Sequence, residues 1–299
     1  MILAKSEILA KIFKFRGKII ISDDCDKARI RNKIKSNQMD ISTLNLIVGT
    51  IFIIAMVFSF VVFMTSYQSV SDYDKERVER ESSSIPETFR SIYKAFGNWL
   101  YWIASKAKFI YNIQPQKISL LGLGFNLIGA VSISFGIISI GAISITAGGI
   151  LDILDGKVAR EKKIVRKSGS LLDSVLDRIG EIAVFSAICF FLMKKGYYTS
   201  SVITALAMGF SMLVSYVRAK AEALGLSPKE GIMRRQERIF IIAVSLFLDS
   251  ILHYITQKII FLPVGITIIF FGSFITSITR FKKSYEELKG EEKGKKNEN

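Results

Sequence analysis

The sequence predicts an all-α integral membrane protein with a six-transmembrane-helix core, preceded by an interfacial amphipathic helix and one extra amino-terminal span. Three observations carry that prediction. Half of the 299 residues are hydrophobic and the mean hydropathy is +0.36, values that belong to a membrane protein rather than a soluble globule. Apolar runs recur at the length of about 20 residues that a span requires. Basic residues collect in alternate connections, as the positive-inside tendency demands.

Residues 1–43 form a basic amino-terminal tail in which ten Lys and Arg are interspersed with Asp23, Asp24, Asp26 and Asp40. Leu44 to Met64 is a clean apolar run and predicts the extra span, 44–66. No short basic region precedes it and no A-x-A-like cleavage site is evident, which argues against a signal peptide. A polar, charge-mixed linker is expected over 67–84, the main membrane domain over 85–285, and a charged, disordered tail over 286–299. From Pro86 to Tyr111, Phe89, Ile92, Phe96, Trp99, Leu100, Ile103 and Phe109 alternate at helical spacing with Arg90, Lys94, Lys106 and Lys108. That pattern predicts a helix lying in the interface, with Trp99, Tyr101 and Trp102 as belt aromatics. The charge-free stretch from Ile118 to Leu151 is too long for one span, so two are expected, joined by a tight turn near Phe135 to Gly141. Further spans read at 170–193, 200–217, 239–257 and 260–279. Gly122, Gly124, Gly129, Gly148, Gly149, Gly209 and Gly272 are read mainly as sites of close helix packing.

Lys157, Arg160, Lys162, Lys163, Arg166 and Lys167 lie between the second and third core spans. Arg218, Lys220, Arg234 and Arg235 lie between the fourth and fifth, and Arg280, Lys282 and Lys283 follow the sixth. All share one side, predicted to be cytosolic. Topology and anionic headgroups thus account for most of the net charge of +15. No aromatic-basic module accompanies it, so nucleic acid is not an expected partner. If 44–66 crosses, the basic tail lies outside, against the positive-inside tendency; the alternative is a hairpin or partner-binding segment. Cys25 and Cys189 fall in different regions and have no metal-thiolate spacing. His253 reads as an interfacial residue, and Asp249 as an intramembrane acid paired with it or with a polar neighbour.

The densest information lies between Asp152 and Asp177. Asp152 and Asp155 are three residues apart and Asp173 and Asp177 four apart, so each pair shares one face of its helix. If the two helices are antiparallel neighbours, all four carboxylates converge. Such a cluster at a bilayer edge calls for a positive charge, and hard divalent cations prefer oxygen ligands. Gly156, Ala159 and Gly169 remove side-chain bulk beside the carboxylates, and Arg160 adds a planar donor fork suited to phosphate.

The spacing D-x2-D-G-x2-A-R-x8-G-x3-D-x3-D, filled by Asp152, Asp155, Gly156, Ala159, Arg160, Gly169, Asp173 and Asp177, resembles the signature of the CDP-alcohol phosphotransferases. The resemblance implies that an alcohol attacks a CDP-linked lipid at its lipid-side phosphorus and releases CMP. It implies two ions, Mg2+ or Mn2+, with Asp152, Asp155, Asp173 and Asp177 in the metal site and Asp177 also accepting the alcohol proton. Gly156, Ala159, Arg160 and Gly169 are then expected at the CDP moiety. The segment from Ser215 to Arg238 is similar to the branch that makes phosphatidylinositol phosphate or archaetidylinositol phosphate, which implies inositol 1-phosphate as acceptor and Arg218, Arg238 and Arg280 at its phosphate. Arg234, Arg235 and Lys220 read instead as topology charges. Many relatives carry Pro-Asn before the first core span, where this chain has Pro115 and Gln116.

The resemblance also implies a multi-pass protein of the cell membrane, a site facing the cytosol and a homodimer. The CDP-linked lipid is CDP-archaeol or CDP-diacylglycerol, and the membrane lipids are partners. Glycerol 3-phosphate, free inositol or serine are the rival acceptors. A divalent-cation transporter is the rival of another class; it is disfavoured because the acids sit at one edge of the spans and not at the midplane.

Overall fold

In the computed structural model, residues 24–65, 71–82, 87–106, 111–162, 166–228 and 231–297 are described. Among them the chain forms helices α1 (Asp24–Thr65), α2 (Asp72–Ser82), α3 (Glu87–Lys106), α4 (Pro115–Ser134), α5 (Ile138–Glu161), α6 (Lys167–Lys194), α7 (Tyr198–Ala223), α8 (Arg235–Thr256) and α9 (Phe261–Asn297). The membrane core lies within one compact unit, Leu44–Asn299.

Local chemistry explains the element boundaries. Pro115 opens α4 at a position where its missing N–H costs no hydrogen bond. The helix closes at Gly136, whose φ of 85° suits a residue without a Cβ, and Ile137 N–H returns to the Ser132 carbonyl at 2.9 Å. Asn45 of α1 clasps this turn: its amide donates to the Gly136 carbonyl, and its oxygen accepts from the Ser139 N–H and hydroxyl. A polar side chain in an apolar run needs such partners, so Asn45 pins the extra span to the α4–α5 hairpin.

The core forms where α4 packs on α5 and α6, α5 on α8, α6 on α7, and α7 and α8 on α9. Ile133, Ile145, Phe185, Ile188, Leu192 and Leu246 fill its centre. Asn126 of α4 is wedged between two glycines. A Cβ at Gly148 of α5 would lie 2.7 Å from its Oδ1, and one at Gly180 of α6 would lie 3.0 Å from its Nδ2. These close approaches bring α4, α5 and α6 together at the level where the acidic residues sit.

Six helices among the described residues are long and apolar enough to cross a membrane: Asp40–Thr65, Pro115–Ser134, Ile138–Glu161, Tyr198–Ala223, Arg235–Thr256 and Phe261–Gly290. The span expected over 170–193 lies within α6, which has 28 residues but retains Asp177, Arg178 and Glu181 near its middle. The core neutralises two of these charges: Asp177 pairs with Arg235 and Glu181 with Arg238.

Four sequence expectations need amendment. Trp99, Tyr101 and Trp102 are not belt aromatics; they are buried with Phe63 and Val78, because α1 and α2 cover them. The linker expected over 67–84 contains helix α2, in whose first turn the Asp74 carboxylate accepts the Ser71 hydroxyl. The tail expected to be disordered continues α9 as helix to Asn297. Asp249 does not pair primarily with His253: it accepts the backbone N–H groups of Ile260, Phe261 and Leu262 at 2.7–3.0 Å, satisfying the otherwise orphaned first turn of α9. Of the two cysteines, Cys189 is free, and Cys25 lies in α1.

Candidate active site

The carboxyl-terminal half of α5 carries Asp152 and Asp155 one turn apart, and the first turns of α6 carry Asp173 and Asp177. The close helix approach around Asn126 brings the two pairs together. Carboxylate oxygens of Asp152, Asp155 and Asp173 all lie within 4.8 Å of one another. Three oxygens within that separation lie at most about 2.8 Å from a common centre, close to the coordination distances of hard divalent cations. The donor set therefore fits such a metal, since three anions at this spacing repel one another unless a cation lies between them. Asp155 is buried, and the Ser119 hydroxyl of α4 donates to its Oδ2 at 2.6 Å, which restricts the carboxylate's rotation.

Asp177 stands beside this trio under the control of a cation. Arg235, the first residue of α8, places Nη1 2.8 Å from Asp152 Oδ1 and 2.8 Å from Asp177 Oδ1. The Arg178 guanidinium is 3.8 Å from the other Asp177 oxygen. Behind them Arg238, 1% exposed, donates through Nε to Glu181 at 2.6 Å and through Nη1 to the Met233 carbonyl at 3.2 Å.

The residues expected at the CDP moiety line the same end. A Cβ at Gly156 would lie 3.1 Å from Arg160 Nη1, so glycine leaves the guanidinium room to lie along α5. Arg160 Nη2 is buried and has no hydrogen-bond partner, a donor suited to an anionic oxygen. Ala159 is half-buried one residue before it. Gly169 faces Gln116, with a Cβ there 3.9 Å from Nε2, so the residue that departs from the Pro-Asn pattern lies across from the motif glycine. Lys157, in the same loop-proximal turn, pairs at 2.9 Å with Asp74. Burial raises the nearby Tyr111 phenol above its ordinary pKa, and the Lys157 charge opposes that rise.

The three arginines expected at the acceptor phosphate occupy different settings. Arg218 is exposed and bonds Glu222 on its own helix at 2.8 Å. Arg280 is buried and donates to the Val214 carbonyl at 3.2 Å, one turn before Arg218 on α7. Arg238 is held by Glu181. The cation that the fold brings onto the carboxylates is instead Arg235, read in the sequence as a topology charge. Its signal was faint: it lies three residues before Arg238, yet the two point to different acids. Glu181 was also missed, although Asp173, Asp177 and Glu181 recur every four residues along one face of α6.

Comparison with known proteins adds to this geometry. Residues 112–272 match the family model for CDP-alcohol phosphatidyltransferase. The archaetidylinositol phosphate synthase of Methanothermobacter thermautotrophicus is 33% identical over 141 residues, covering 47% of this chain and 70% of that protein. The crystal structure of Mycobacterium tuberculosis phosphatidylinositol phosphate synthase with CDP-DAG bound superposes with a TM-score of 0.54 at 25% identity, covering 61% of this chain and 92% of that one. The same enzyme with manganese and citrate gives a TM-score of 0.52 at 25% identity, covering 61% and 87%.

Proposed function

The chain belongs to the CDP-alcohol phosphatidyltransferase family, and from that premise we propose that it transfers a phosphatidyl-type group from a CDP-linked lipid to inositol 1-phosphate with release of CMP. It is a multi-pass membrane phosphotransferase. The observation that carries the reading is the convergence of Asp152, Asp155 and Asp173 oxygens within 4.8 Å beside the unpartnered Arg160 donor.

In this reading two divalent cations, Mg2+ or Mn2+, supply charge neutralisation for the pyrophosphate and are held by Asp152, Asp155, Asp173 and Asp177. Arg160 donates to a phosphate oxygen of the CDP-lipid, and Gly156, Ala159 and Gly169 let the nucleotide approach the backbone. The acceptor hydroxyl oxygen forms a bond to the lipid-side phosphorus. The bond from that phosphorus to the bridging oxygen breaks, and CMP leaves with the oxygen and its electron pair. The hydroxyl proton passes to the Asp177 carboxylate. Arg235 holds Asp177 in place at 2.8 Å, which orients it for that transfer.

A dianionic acceptor needs fixed cations close to this centre. Arg280, which donates to the Val214 carbonyl one turn before Arg218, supports together with Arg218 an acceptor-phosphate site between the ends of α7 and α9. Arg238 supports it from behind: its guanidinium is held by Glu181 and leaves Nη2 without a partner. The basic residues Lys162, Arg166 and Lys167 at the same end support a cytosolic site. The reading extends to a homodimer, on the precedent of the family. The names of the curated relatives favour inositol 1-phosphate over glycerol 3-phosphate, free inositol or serine.

The test is CMP release by the detergent-purified protein with Mg2+ or Mn2+, a CDP-lipid and each of the four alcohols, with Asp173→Asn as control. Release driven by inositol 1-phosphate and lost by more than about 100-fold in the variant is expected. Release driven by another alcohol removes the acceptor assignment, and release that survives in Asp173→Asn removes the metal reading.

A further inference from the structure

Helix α2 lies outside residues 112–272, the part of the chain matched by the family model, yet it sits directly on the nucleotide-side turn of α5. Asp74, 2% exposed, and Lys157, 7% exposed, form a 2.9 Å ion pair. Lys157 is the residue after Gly156. A buried pair resists separation, because losing either partner leaves the other charged and desolvated. The pair therefore fixes the start of α2 against α5. Ser71 strengthens the joint by donating its hydroxyl to Asp74 at 2.7 Å while accepting the Asp74 N–H at 3.3 Å. On its other side α2 is anchored by Val78, buried with Phe63, Trp99 and Trp102, and by the Lys94–Glu79 ion pair.

That fixed placement brings Tyr73 over Arg160. The guanidinium carbon lies 6.0 Å from the centre of the Tyr73 ring, while 53% of Tyr73 remains exposed. A guanidinium over an aromatic face is attracted by the ring quadrupole and loses freedom along its long stem. Arg160 meanwhile has a buried Nη2 with no acceptor. The group is held in position and lacks only an anion.

We propose that α2 forms one wall of the CDP-lipid site, with Tyr73 as the positioning residue that holds the Arg160 guanidinium toward the pyrophosphate and the Asp74–Lys157 pair as the joint that sets the wall. The proposal rests on the CDP-lipid reading above and extends it to a segment beyond the matched domain. Pre-ordering of Arg160 lowers the cost of binding the phosphate, so the effect falls on CDP-lipid affinity and not on the acceptor.

The experiment compares wild type, Tyr73→Ala and Tyr73→Phe in two readouts: steady-state CMP release, and equilibrium titration of CDP-diacylglycerol in detergent with Mn2+ and no acceptor. Tyr73→Ala is expected to raise KM and the dissociation constant for the CDP-lipid about threefold to tenfold, with kcat and the acceptor KM near wild type. Tyr73→Phe, which keeps the ring, is expected to restore both. Wild-type affinity in Tyr73→Ala, or equal weakening in Tyr73→Phe, would overturn the wall while leaving the reaction intact. A wild-type protein that neither binds nor turns over CDP-lipid would overturn the reaction reading and the wall with it.

Discussion

Arg235 bridges Asp152 and Asp177, with one guanidinium nitrogen 2.8 Å from a carboxylate oxygen of each. The bridge joins α8 to both acidic helices. It places a permanent positive charge at the edge of a donor set that fits divalent cations, so cation binding and Arg235 act on the same negative field.

Replacing Arg235 by Gln leaves those acids without their fixed counter-charge. The metal-free protein is expected to lose about 3 kcal/mol or more, the range for breaking one side of a largely buried pair. Added Mn2+ is expected to recover more stability in Arg235→Gln than it adds to wild type. Thermal unfolding in detergent with EDTA or excess Mn2+ checks this, and equal metal-induced shifts in the two proteins would count against it.

Glu181 and Arg238 form a separable unit behind the site, with both side chains under a tenth exposed. Glu181→Gln or Arg238→Met alone is expected to destabilise by about 3–5 kcal/mol, because each leaves a desolvated charge. Glu181→Met with Arg238→Met is expected to regain most of that loss. A double-mutant cycle on unfolding midpoints measures the coupling; additive losses would contradict it.

Asp249 tests the far end of the core. Its three backbone acceptor contacts hold the first turn of α9, and Asp249→Ala is expected to cost about 2 kcal/mol while CMP release per folded molecule stays at the wild-type level. Asp249→Asn, which keeps an acceptor oxygen, is expected to recover part of it. A fall in CMP release per folded molecule would show that Asp249 has a role in the reaction.

Gly180→Ala probes the packing that draws the acidic helices together. The added methyl would meet Asn126 at 3.0–3.4 Å from three atoms, and overpacking of this kind costs about 1–3 kcal/mol. Both stability and kcat are expected to fall, because a shift of α6 carries Asp173 and Asp177 with it. Gly209→Ala, where a Cβ meets nothing within 4 Å, is the matched control and is expected to behave as wild type.

Much of this protein was legible in its sequence for a local reason. Helix length, apolar runs and the three- and four-residue spacing of Asp152, Asp155, Asp173 and Asp177 follow from helical periodicity, which is a property of neighbours along the chain. Those patterns were enough to predict the spans, the paired carboxylates and the family resemblance. Tertiary structure decided which charge meets which. Arg234 and Arg235 are indistinguishable as basic loop residues, yet only the packing of α8 sets Arg235 between Asp152 of α5 and Asp177 of α6. Trp99 and Trp102 have the amphipathic character of belt residues until α1 and α2 cover them. Asp74 and Lys157 are 83 residues apart, and Asp249 reaches α9 across a turn. Each outcome depends on desolvation by a distant segment, so the value of a charge or an aromatic ring was settled only when the helices packed.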